Sequence, residues 1–127
     1  MAGPAKRVLV VDDGTTIRLF HRTILERAGF EVEEAINGVE GIERALTGRF
    51  DLVLVDINMP QMDGYTMLNR MRARPELRDI PAVTISTEAA PLDEELALAA
   101  GANLYIVKPA DPEALVAAAR LMTGRAA

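Results

Sequence analysis

Four short apolar runs punctuate the chain: Val8 to Val11, Leu52 to Val55, Ala82 to Ile85 and Leu104 to Val107. Each is too short for a helix and is rich in β-branched or large aliphatic residues, so each reads as a strand. The runs are continuous rather than alternating, which predicts strands buried on both faces of a parallel sheet. A fifth candidate, Phe30 to Ala35, alternates Phe30 and Val32 with Glu31 and Glu33, a half-exposed pattern that belongs at a sheet edge. Helical spacing fills the intervals. Ile17, Phe20, Ile24 and Ala28 share one predicted face and stop at Gly29; Val39, Ile42, Ala45 and Leu46 do the same before Gly48. Met67, Leu68 and Met71 mark a third helix, and Leu92 to Ala100 a fourth, opened by Pro91 and closed by Gly101. The last has Asp111 as N-cap, Pro112 at its first position, and Leu115, Ala118, Ala119 and Met122 behind them.

Five strands alternating with five helices predict an α/β architecture, a doubly wound, five-stranded parallel sheet joined by right-handed crossovers. At 127 residues the chain is the size of one domain, spanning 1–127 with its core over about 6–122. There is no cysteine, which excludes a disulfide scaffold, a thiolate metal site and a cysteine nucleophile. The apolar runs fall far short of the roughly 20 residues of a membrane helix, and MAGPAKR carries no apolar signal core. A soluble, cytoplasmic protein that does not engage a membrane is expected. The formal charge of −5, with no basic stripe, argues against direct nucleic acid binding.

Ligands of such sheets bind beyond the carboxyl ends of the strands. There the sequence places Asp12 and Asp13 after the first strand, Asp56 after the third, Ser86, Thr87 and Glu88 after the fourth, and Lys108 with Pro109 after the fifth. Asp is also a turn former, but one strand end explained that way leaves the other three unexplained. Three carboxylates brought together repel, at about 4 kcal/mol per pair for a 4 Å separation and an effective dielectric near 20. An oxygen-only donor set suits Mg²⁺, which takes one or two carboxylates, several waters and a phosphate oxygen. With the cation held, Asp56 can act as nucleophile toward a phosphoryl group, while Lys108 and Ser86 supply an ammonium and a hydroxyl to its oxygens.

The stretches VLVVDD, LVLVDINMPQMDGY, AVTISTEA and LYIVKP, in that order, resemble the response-regulator receiver domains of two-component signalling, most closely the single-domain chemotaxis-type receivers. The resemblance spans nearly the whole chain and implies a flavodoxin-like (βα)5 fold with strand order 2-1-3-4-5. It also implies roles. Asp56 is the phosphoacceptor; Asp12, Asp13, Asp56 and the Asn58 backbone carbonyl hold Mg²⁺; Ser86 and Lys108 engage the phosphoryl group. Tyr105 is the aromatic that turns inward when the hydroxyl of residue 86 moves toward the phosphate. Asn58 and Glu88 set the rate of dephosphorylation, Gly64 opens the third helix, and the Lys108-Pro109 bond is cis. The expected partners are a histidine kinase as phosphodonor and a protein target at the face of the fourth helix, fifth strand and fifth helix, with the protein a monomer. Such a protein is not an enzyme beyond catalysing its own phosphorylation and dephosphorylation. A phosphate sink and a phosphorelay shuttle fit the same residues, because Gly14 stands where flagellar-motor regulators often carry Phe and Ala110 where many receivers do. A receiver-like module that only binds partners is the alternative of another class. A haloacid-dehalogenase-like phosphatase shares an acidic strand end, but it needs D-x-D, and here the two acids are adjacent. The lone histidine, His21, is expected to be solvated on the first helix rather than a phosphodonor.

Overall fold

The computed structural model describes residues 5–87 and 91–124. Strands and helices alternate as β1 (Arg7–Val11), α1 (Thr15–Arg27), β2 (Glu31–Ala35), α2 (Gly38–Thr47), β3 (Leu52–Asp56), α3 (Gly64–Arg72), β4 (Ala82–Ser86), α4 (Pro91–Ala100), β5 (Leu104–Val107) and α5 (Pro112–Thr123). All pairings are parallel, in the order β2-β1-β3-β4-β5, as the resemblance implies. Successive side chains of one strand point to opposite faces, and the core divides accordingly. Val8 and Val10 join Leu25, Leu115 and Ala119 on the side of α1 and α5. Leu9 and Val11 join Ile42, Met67, Leu68 and Ala97 on the side of α2, α3 and α4. The chain leaves β1 toward β2 on one side and toward β3 on the other, so a crevice opens above the carboxyl ends of β1 and β3.

β3 and β4 are buried along their whole length and β1 from Val8 onward. β5 departs from the expected double burial: Leu104 to Ile106 are half-buried and Val107 is exposed. The reason is position, because β5 is an edge strand with only β4 beside it. β2 holds the opposite edge, as its alternation predicts. In α2, Val39 and Leu46 face outward while Gly41 faces in, where a β-carbon would lie 2.8 Å from Met67 Cε; the missing side chain sets how close α2 and α3 come. α4 docks through Ala97 and Ala100, leaving Leu92, Leu96 and Leu98 exposed. Asn37, Asp63 and Asp111 each cap a helix through a side-chain oxygen that accepts a backbone N–H.

The largest departure lies in α1. Its buried face carries His21 and Leu25, both 0% exposed, while Phe20 is half out of the protein at the groove between α1 and α5. The two candidate faces differ by one residue, or about 100° of helix, and hydrophobicity alone favours the one with Phe20. His21 is therefore a core residue and not a solvated one. Neither ring nitrogen has a hydrogen-bond partner among the described residues. Burial holds its pKa below the ordinary value of 6.5; the Asp12 carboxylate works against that shift and the Lys108 ammonium with it.

Where the chain leaves β3, it turns over the strand end and returns with the Gly64 N–H donating to the Ile57 carbonyl at 2.9 Å. A β-carbon on Gly64 would lie 2.6 Å from the Asp56 carbonyl oxygen and 2.9 Å from Ile57 Cα. Both are backbone atoms, so a side chain at 64 can be accommodated only by moving the end of β3.

Two outcomes are expected. The unfolded imidazole binds its proton near pH 6.5 and the buried one resists it, so the unfolded state holds more protons below that pH and stability falls as pH falls. Each unit of lowering is worth about 1.4 kcal/mol. In urea denaturation followed by far-ultraviolet circular dichroism, His21→Leu should flatten the loss of stability between about pH 7.5 and 5 that the linkage predicts. It should also add about 1 kcal/mol at the upper end by removing an unsatisfied polar group; parallel pH slopes would mean that the imidazole is not held neutral. Gly64→Ala should cost about 1–3 kcal/mol in the same assay, as overpacking against backbone does.

Candidate functional site

The acids sit where the strands run out. Asp56 is the last residue of β3 and Asp12 the first after β1; both are buried, at 4% and 2% exposure, whereas Asp13 is exposed. Each offers one carboxylate oxygen to a cluster whose atoms lie within 4.8 Å of one another. Lys108 reaches in from the end of β5, its Nζ 3.0 Å from Asp12 Oδ2 and 3.1 Å from Asp56 Oδ1. Burial, reinforced by the Asp12 charge, pushes the Asp56 carboxyl above the usual carboxylate range, with Lys108 opposing the shift. Burial also works against the Lys108 charge, but hydrogen bonds to Asp12 and Asp56 outweigh it and hold the amine above its ordinary value. One ammonium cannot balance three carboxylates. The donor set is all oxygen, two of its members are buried and the third opens to solvent, which fits a hard divalent cation such as Mg²⁺ that keeps part of its water.

The other expected residues that the structure describes lie on β4, on β5 and in the turn after β3. Ser86 ends β4 and is buried; Asp56 is in register with Ile85, so Ser86 stands one residue further along the neighbouring strand. The Lys108 N–H donates to the Ser86 carbonyl at 2.6 Å, tying the two strand ends together, and the Lys108-Pro109 bond is cis. Asn58, two residues past Asp56, is exposed at the start of the β3–α3 turn. Tyr105 lies opposite Thr84 on β5, half-buried against the core on the α4 side. Glu88 lies outside the described residues. A groove between α1 and α5 is lined by Phe20, Ile24, Val116 and Leu121, away from the acids.

Sequence reasoning passed over Arg18, whose Nη1 donates to the Asp12 backbone carbonyl at 2.8 Å. Its signal is weak in sequence: an arginine in the first turns of a helix is ordinary, and its relation to Asp12 appears only once α1 folds back over the strand end.

Residues 8–120 match the family of the response regulator receiver domain. The chain is 40% identical over 111 residues to the chemotaxis protein CheY1 of Helicobacter pylori, covering 86% of this chain and 90% of that protein. It is 36% identical over 102 residues, 80% of its length, to the gliding motility regulatory protein of Myxococcus xanthus, of which it spans only 13%. The structure of chemotaxis protein CheY4 of Vibrio cholerae shares the fold with a TM-score of 0.88 and 34% identity, covering 94% of this chain and 99% of that one. The receiver domain of sensor histidine kinase PA1611 from Pseudomonas aeruginosa, at 26% identity and a TM-score of 0.88 over 95% of this chain and 99% of that one, holds a magnesium ion in its active-site cleft. With such relatives along nearly all of its length, the chain belongs to the response regulator receiver domain family.

Proposed function

We propose that this chain is a phosphorylation-activated switch in chemotaxis or a related two-component pathway, and that Asp56 is its phosphoacceptor. The observation that carries the reading is the position of Asp56, a buried carboxylate within the acid cluster and 3.1 Å from the Lys108 ammonium. The carboxylates of Asp12, Asp13 and Asp56 and the Asn58 carbonyl would hold Mg²⁺, which when bound would neutralise charge in the cluster and on an incoming phosphoryl group. A carboxylate oxygen of Asp56 attacks phosphorus, the bond from phosphorus to the donor nitrogen of a histidine kinase breaks, and an acyl phosphate forms as the neutral imidazole leaves. Lys108 then turns from Asp56 to the new phosphoryl oxygens, and Ser86 offers them its hydroxyl.

Movement of Ser86 draws Tyr105 inward and biases two states of the surface formed by α4, β5 and α5. Leu92, Leu96 and Val107 are exposed on that surface, which supports it as the place where a protein target reads the switch. Asn58 and Glu88 set the rate at which water resets it. In this reading the protein works in the cytoplasm as a monomer; among the described residues no helix is long and apolar enough to cross a membrane. Receiver domains are signalling proteins rather than enzymes in the ordinary sense, so output comes from binding.

Intact-mass measurement after incubation with acetyl phosphate or phosphoramidate tests the proposal. A single phosphoryl adduct that requires Mg²⁺ and is missing from Asp56→Asn is the expected result. An adduct that persists in the variant, or none on folded wild type with either donor, overturns it.

A further inference from the structure

Every hydrogen-bonding group of Asp12 is engaged. Its N–H donates to Ala35 O at 3.1 Å, Oδ1 accepts from the Gly14 N–H at 2.9 Å, Oδ2 accepts from Lys108 Nζ at 3.0 Å, and its backbone carbonyl accepts from Arg18 Nη1 at 2.8 Å. Asp13 is different: its carboxylate belongs to the cluster, yet no described residue donates to it. What aims Asp13 is therefore the peptide that precedes it. The carbonyl of that peptide is the one that Arg18 holds.

Arg18 is itself braced. Its Nε donates to Glu34 Oε1 at 2.7 Å, and its side chain is 11% exposed. The second oxygen of Glu34 accepts from Arg22 Nη1 at 2.5 Å, and Arg22 Nε reaches Glu26 at 3.1 Å. Burial raises the pKa of Glu34, but the bonds from Arg22 and Arg18 reverse this and keep it ionised. Arg22 alone already ties α1 to β2 through Glu34, so the arm of Arg18 that reaches the Asp12 carbonyl is not needed to dock the helix. A planar guanidinium presents donors at fixed angles to both acceptors, which a lysine ammonium cannot do.

We propose that Arg18 is a positioning residue for the cation site: it locks the Asp12-Asp13 peptide so that the Asp13 carboxylate stays within reach of Asp12 and Asp56, with Glu34 aiming the guanidinium. The proposal rests on the reading that this cluster binds Mg²⁺. Groups that orient metal ligands without touching the metal typically govern about 10- to 100-fold of affinity.

Mg²⁺ dissociation constants from titrations of backbone amide resonances, paired with thermal melts, test it on the wild type, Arg18→Lys, Arg18→Met and Glu34→Gln. Both Arg18 variants should bind Mg²⁺ about 10-fold more weakly, and Glu34→Gln should fall between them and the wild type. Arg18→Lys should keep a near-native melt, so that its lost affinity does not follow stability. Wild-type affinity in folded Arg18→Lys would reduce the role to charge and overturn the proposal, as would lowered melting temperatures with unchanged affinity in all three variants. Should Arg18→Met not fold, the other two decide. A wild type that binds no Mg²⁺ would remove the functional reading and this proposal together.

Discussion

Like charges held together by a fold that does not let them separate are the constraint on which this molecule turns. Asp12 and Asp56 are buried beside each other, Asp13 completes the cluster, and among the described residues Lys108 is the one cation paired with them. The interaction is unfavourable locally and is sustained by strands whose apolar residues are packed on both faces. The packed strands therefore fix where the acids sit. A site in this condition responds strongly to any added charge, whether a divalent cation or a phosphoryl group, because the low-dielectric floor beneath it screens little.

Much of this was legible in the sequence because it is written in local terms. Short continuous apolar runs announce central parallel strands, and acids at the ends of two of them, with a lysine at the end of another, announce a shared crevice once the topology is right. The resemblance in motif order supplied that topology, which periodicity alone does not. The cap residue Asp111 was also readable, since its hydrogen bond spans only three residues.

What escaped depends on tertiary placement. The face of α1 was misread by one position because Phe20 is more apolar than His21, yet the sheet receives the imidazole. β5 reads like a central strand, and only its place at the end of the order exposes Val107. Arg18 meets a backbone carbonyl, an acceptor that every residue carries, so no residue type near it marks the partnership. Sequence thus reported chemistry carried by side chains at strand ends and missed chemistry that passes through the main chain.

An open sheet presents two free edges, each a template onto which another chain can add a strand. The two edges here are defended unequally. On β2, Glu31 and Glu33 pair with Arg7, and Arg44 reaches Glu33 as well, so an incoming strand would have to displace or bury a web of ions. β5 reads Leu-Tyr-Ile-Val and carries no charge within the strand. Strand addition, whether as misassembly during folding or as capture of an extended peptide, is thereby directed away from β2 and toward β5.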